Sequence, residues 1–138
     1  MTIAYAVEPD LSVAEFIDVL ARSTLAERRP VDDAERIAKM LAGADLIVTA
    51  RDGAGFLLGV ARAVTDFSFC CYLSDLAVDQ AVQGQGIGQA LMKRTWIEAG
   101  EQGTFVLLSA PGAMTYYPQA GLDTFDNCFG LKRPWPED

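Results

Sequence analysis

The chain has 138 residues, of which 51% are apolar and 22% charged, and it carries a net charge of −8. That length suits one domain, residues 1–138, with a substantial core, and the composition is that of a globular protein. The negative balance speaks against nucleic acid or an anionic membrane as partner, because phosphates repel an acidic surface, and it favours cationic small molecules. Histidine is absent, which removes the commonest general base and the commonest metal ligand, so no metal site is expected.

Thr2 to Glu8 alternates as a strand does and stops at Pro9. Ser12 and Glu15 then stand at capping-box spacing, and Val13, Phe16, Ile17 and Leu20 form one helical face. After the polar loop "AERRP", Asp32 with Glu35 signals a second helix carrying Ile37, Met40 and Leu41. "DLIVTARDGAGFLLGVARAVTD" reads as strand, turn, strand, with Asp52-Gly53 supplying the positive φ angles of a tight hairpin. Beyond a turn at Asp66 to Ser68, Phe69 to Val78 is a third strand-like run. A helix follows from about Ile87 to Ala99 and ends near Gly100. "TFVLLSA" reads as a buried strand, "GAMTYYPQAGL" as a short helix ending at Gly121, and "TFDNCFGLK" as a last strand. The resulting order is β-α-α-β-β-β-α-β-α-β, an α/β (α+β) domain without repeats or linkers.

Nothing in "MTIAYAVEPD" resembles a signal peptide, and no apolar run is long enough to span a bilayer. Cys70, Cys71 and Cys128 are odd in number, and neighbours on a strand point to opposite faces, so a Cys70–Cys71 bridge is not expected. The chain reads as cytoplasmic with reduced thiols, and Cys70 and Cys71 as strand-packing residues rather than nucleophiles.

The chemistry is concentrated in "DLAVDQAVQGQGIGQALM". An apolar strand runs into Gly84, Gly86 and Gly88, and an amphipathic helix begins there. A helix N-terminus exposes unsatisfied N–H groups and binds anions without a lysine, and glycines allow the close backbone approach. A P-loop would need Gly-Lys-Ser/Thr, which is missing. A Rossmann turn would need Gly or Ala where Gln89 or Leu91 stands.

What remains, Gln83-x-x-Gly86-x-Gly88 after a strand and opening a helix, resembles the Gln/Arg-x-x-Gly-x-Gly/Ala signature of the GNAT superfamily, the GCN5-related N-acetyltransferases, in its small single-domain bacterial form. The resemblance is strong from Phe56 to Leu122. It implies a mixed, mostly antiparallel sheet of about six to seven strands, splayed between the fourth and fifth and flanked by about four helices. It also implies acetyl coenzyme A as acyl donor. The backbone at Gln83, Gly84, Gln85, Gly86, Ile87 and Gly88 would take its pyrophosphate. The pantetheine arm would lie along main-chain groups of Leu76, Ala77 and Val78, beside a bulge near Leu76–Ala77.

"TYYPQAGL" is similar to the family's Phe-Tyr-x-x-x-Gly-Phe motif, which places Tyr117 beside the coenzyme sulfur as the acid for the departing thiolate. A phenol with pKa near 10 suits that step. Pro118 should shorten the helix that carries it. The implied reaction is direct attack of a primary amine, of a small molecule or peptide, on the thioester through a tetrahedral intermediate. With only about one alkyl amine in a thousand neutral at pH 7, a proton acceptor is needed. Asp75 is the first candidate base, with Glu27, Asp66 or a water chain as others. Phe67, Phe69 and Tyr72 could line an acceptor pocket or simply pack. The alternatives are an acyl-coenzyme-A-binding sensor without transferase activity and a transferase of another acyl group. Pairing of two copies through an edge strand is also compatible with the resemblance.

Overall fold

The structure, a computed structural model, describes residues 1–137. The chain divides into two compact units, Met1–Leu108 and Ser109–Asp138.

The first unit holds a five-stranded sheet in the order β1 (Ala4–Val7), β2 (Leu46–Arg51), β3 (Leu57–Thr65), β4 (Cys70–Val78) and β5 (Thr104–Leu107). The first four strands are antiparallel neighbours, and β5 joins β4 in parallel. Three helices cover the sheet: α1 (Val13–Ser23), α2 (Ala34–Ala42) and α3 (Ile87–Glu98). A single 3₁₀ turn, Leu25–Arg28, occupies the polar connection between α1 and α2.

Local chemistry explains where the helices begin. Ser12 accepts the Glu15 N–H at 3.1 Å and starts α1. Asp33, rather than Asp32, accepts the Arg36 N–H at 3.0 Å and starts α2. Apolar faces then decide the packing. Phe16, Val19, Leu20, Ile37 and Leu41 close over Ile47, Leu57, Val60 and Ala77 on one side of the sheet. Each fully buried side chain of this size contributes roughly 1.5–3 kcal/mol. On the opposite side α3 lies against Gly59, where an added Cβ would come within 3.0 Å of both the Ala77 carbonyl and Leu91 Cδ1. Glycine there lets the helix settle onto the sheet.

Three turns differ from the sequence expectation. The positive φ of the β2–β3 hairpin falls on Gly55 (84°) and not on Gly53, because one Asp52 oxygen takes the N–H groups of both Ala54 and Phe56 and widens the loop. The bulge on β4 lies at Ser74 and not at Leu76–Ala77: Arg62 pairs with Asp75, Ala63 with Leu73, and Ser74 is the extra residue. Finally, no strand forms over residues 124–132, so five strands are present among the described residues rather than six or seven.

The second unit contains a 3₁₀ turn at Pro111–Ala113 and a four-residue helix, α4 (Tyr116–Gln119), closed by the Gly121 turn at φ 106°. Phe125, Phe129 and Trp135 are exposed there. No helix among the described residues is long and apolar enough to cross a membrane.

The start of β5 tolerates no side chain before it. Gly103 has φ 73°, and a Cβ on it would fall 1.5 Å from the Phe69 carbonyl oxygen, the atom that accepts the Thr104 N–H at 2.9 Å. Gly103→Ala is expected to cost more than the ~1–2 kcal/mol that left-handed backbone alone asks of an L residue, because the β4–β5 pair must also shift. Urea unfolding of parent and variant checks this, and equal midpoints would refute it.

Candidate active site

Pairing between β4 and β5 covers only Cys70 to Leu73 on β4 and Thr104 to Leu107 on β5. Past Leu73, among the described residues, no strand pairs with Ser74–Val78 on that side. The Asp79 N–H donates to the Leu58 carbonyl on the β3 side at 2.8 Å. Strand alternation therefore turns the main-chain groups of Ala77 toward β3 and those of Leu76 and Val78 toward the open edge. These groups form an N–H and C=O row of the kind a further strand would pair with.

The open edge leads straight into the glycine turn. Asp79 accepts the Ala81 N–H at 2.9 Å and closes a 3₁₀ turn, Gln80–Val82. Arg22 Nη1 donates to the other Asp79 oxygen at 2.7 Å and Nη2 to the Leu57 carbonyl at 2.8 Å, while the Arg22 guanidinium sits 4.4 Å over the Phe56 ring. The Asp79 carboxyl is held below its ordinary range, first by the Ala81 N–H and then by Arg22.

Gln83 has a role that spacing alone did not suggest. Its side-chain amide donates to the Val78 carbonyl at 2.9 Å, and its own N–H points at the Gln80 carbonyl. The motif glutamine thus ties the turn to the end of the strand. Gly84 (φ 81°) and Gly86 (φ 84°) follow in left-handed backbone, with open space where a Cβ would stand. Conformation, not crowding within the chain, demands glycine at both positions. Gly86 caps α3, and the first helical bond runs from the Ala90 N–H to the Gly86 carbonyl at 3.0 Å. The N–H groups of Ile87 and Gly88 precede that bond, and no acidic residue lies in the first turn, so the helix dipole meets an incoming anion unopposed. Ile87 itself is buried and anchors the turn.

Asp75 lies on β4 within this site, but its carboxylate is buried and faces away from solvent. Arg29 Nε donates to one oxygen at 2.5 Å, and Arg62 Nε donates to the other. Arg29 also reaches the Ser74 carbonyl (2.8 Å) and Arg62 the Ser74 hydroxyl (2.9 Å). A base must offer a free lone pair to the amine, and this side chain is instead the centre of an ion cluster. Neither arginine stood out in the sequence. The only hint is that "AERRP" places two guanidinium groups in a short loop.

The other candidate bases fall elsewhere. Glu27 is on the 3₁₀ turn after α1. Asp66 caps the β3–β4 hairpin, roughly 25 Å along β4 from Val78. Its Oδ1 accepts the N–H groups of Phe69 (2.7 Å), Cys70 (3.1 Å) and Ser68 (3.0 Å). Phe67 and Phe69 are exposed at this same hairpin end. Tyr72 is on the paired stretch of β4, with Val106 as its β5 partner. Cys70, Cys71 and Cys128 are free thiols; Cys71 is buried, which pushes its pKa up and leaves it a poor nucleophile. Among the described residues no group of three His, Cys, Asp or Glu could hold a metal ion.

Tyr117 belongs to the second unit. Its carbonyl accepts the Leu122 N–H at 3.0 Å, and its ring meets Tyr116 edge-on at 5.1 Å, so the two tyrosines stand side by side rather than apart. Burial pushes the Tyr116 hydroxyl pKa up.

A parallel strand pair thus opens onto a glycine turn and a helix N-terminus in an α/β domain. A family model, "Acetyltransferase (GNAT) domain", matches residues 42–121, more than half of the chain, and the protein belongs to that family. Solved structures share its fold. A GNAT-family acetyltransferase of Streptococcus pneumoniae superposes with a TM-score of 0.79 at 21% identity, over 99% of this chain and 100% of that one. An aminoglycoside acetyltransferase from an uncultured soil metagenomic sample, solved with sisomicin, gives 0.69 at 17% identity, over 98% and 96%. A GNAT-family N-acetyltransferase of Escherichia coli, solved with CoA, gives 0.67 at 21%, over 88% and 68%.

The Asp66 hairpin cap yields a pH test. Its backbone donors, Phe69 first, bring the carboxyl down to about 2 from an ordinary 3.8. The folded value lies below the unfolded one, so the stabilisation is present above about pH 4 and is lost as the pH falls through about 2. Urea midpoints of the parent should exceed those of Asp66→Asn at pH 6, with the gap closing between pH 4 and 2. A gap independent of pH would refute this assignment.

Proposed function

We propose that the chain transfers an acetyl group from acetyl coenzyme A to a primary amine of a small molecule or peptide. One observation carries the reading: the open edge of β4 at Leu76 and Val78 is continuous, through the Gln83–Val78 bond, with the glycine turn that opens α3. A donor with a polar arm and a pyrophosphate fits that sequence of groups. The coenzyme-A-bound relative from Escherichia coli supports the donor, and the relative solved with an aminoglycoside supports an amine acceptor.

In this reading the N–H groups of Gly84, Gln85, Gly86, Ile87 and Gly88 hold the pyrophosphate, and Gln83 holds the turn. Main-chain groups of Leu76 and Val78 bond the pantetheine arm, with Ala77 between them fixed to β3. Bound acetyl coenzyme A supplies an activated thioester carbonyl to the amine. An N–H on the open edge stabilises the oxyanion that develops there. The motif resemblance makes Tyr117 the candidate that gives the proton to the departing thiolate. Asp75, with both oxygens on arginines, acts as an anchor of β4, and the proton of the amine passes to water.

Titration calorimetry of acetyl coenzyme A into the parent and Gly86→Glu tests the donor site. The Cβ of residue 86 meets nothing within 4 Å, but φ 84° strains any side chain there, so circular dichroism first establishes that the variant, with its carboxylate at the phosphate position, is folded. Binding by the parent and none by the folded variant is expected; no binding by a folded parent refutes the reading. Tyr117→Phe should lower turnover about 10²-fold or more, the scale of general acid catalysis, with coenzyme affinity unchanged. Binding without turnover in either form would mark a coenzyme-A-binding module that transfers nothing.

A further inference from the structure

Resting on that donor site, we propose that Arg29 is a positioning residue for the acyl donor, holding the open edge of β4 at the angle the pantetheine arm requires. Arg29 stands at the end of the 3₁₀ turn between α1 and α2, 46 residues before its partner Asp75. Its guanidinium makes three directed bonds: Nε to Asp75 Oδ1, Nη2 to the Ser74 carbonyl and Nη1 to the Arg28 carbonyl, the last two at 2.8 Å. Ser74 is the bulged residue, the one place on β4 where the ladder with β3 shifts. A bulge leaves its extra residue outside regular pairing and bends the strand. Here the carbonyl of that residue is bonded by Arg29 and its hydroxyl by Arg62.

The bend falls immediately after Leu73, the last β4 residue paired with β5, and just before Leu76 and Val78. Whatever holds Ser74 therefore sets how far the open edge turns from β5. Arg62 does so from inside the core, with 9% of its side chain exposed. Arg29 does so from the rim, with 22% exposed. The rim position makes Arg29 replaceable without opening the core. Its planar fork is what matters, since one lysine ammonium cannot span the Asp75 carboxylate and the Ser74 carbonyl in the same geometry.

The test uses the full chain and two ligands: coenzyme A, and adenosine 3′-phosphate 5′-diphosphate, which keeps the pyrophosphate and lacks the pantetheine arm. Calorimetry of Arg29→Lys should show coenzyme A weakened about tenfold, as expected where a bidentate arginine becomes a lysine, and the truncated ligand unchanged. Arg29→Gln, whose amide ends where the arginine Nε stands and so reaches Asp75 but not the Ser74 carbonyl, should weaken coenzyme A at least as much as Arg29→Lys. Equal weakening of both ligands, or none, in a folded variant overturns the proposal. So does failure of both variants to fold, which would make Arg29 a residue of the fold alone. A folded parent that binds neither ligand would instead remove the donor site itself, a result visible before any Arg29 variant is made.

Discussion

The buried carboxylate of Asp75, bracketed by Arg29 and Arg62, is the interaction on which the rest of the first unit depends. The buried Asp75 carboxylate is tolerated because each oxygen accepts from an arginine, and both arginines are further bonded to main-chain or hydroxyl oxygens. Removing one member of such a cluster commonly costs about 3–5 kcal/mol, because the remaining charge stays buried. The cluster joins three parts of the chain that are distant in sequence: the α1–α2 connection, β3 and the bulge of β4. It lies at the bulge that directly follows Leu73, the last β4 residue paired with β5.

A second network governs the other end of that edge. Arg22, reaching from α1, bonds Asp79 and the Leu57 carbonyl, and Asp79 in turn shapes the 3₁₀ turn before the glycines. Behind the turn, Gly59 lets Leu91 and Ile87 of α3 approach the sheet closely. The N-terminus of α3 is thereby held at the end of β4 by packing on one face and by ionic contacts on the other. In the proposed reading the phosphates meet main-chain N–H groups and need no cation, which is compatible with a chain of net charge −8.

Much of this was legible in the residues. Ser12 with Glu15, the left-handed glycines at 84 and 86 and the strand before them announce themselves by local chemistry, because the bonds they make lie within a few positions. Errors of one or two residues arose where equivalent groups compete locally. Asp33 outcompetes Asp32 as a cap, and Gly55 takes the positive φ that Gly53 could have taken. The bulge was harder, since Ser74 looks like any half-exposed strand residue until Arg29 and Arg62 reach it. Residues 124–132 alternate as a strand would, yet a strand exists only where another pairs with it, and none does among the described residues.

By itself, then, the sequence determined the family, the order of the elements as far as α4 and the glycine turn before α3, all of which rest on short-range propensity and on backbone conformations that only glycine adopts readily. Tertiary structure decided that Asp75 is an anchor rather than a free carboxylate, that Gln83 clips the turn to Val78, and that pairing of β4 with β5 ends at Leu73. Each of these depends on which side chain arrives from a distant part of the chain. A long arginine can meet any buried oxygen within its reach, and only the packed arrangement of α1, β3 and β4 selects the oxygens it finds.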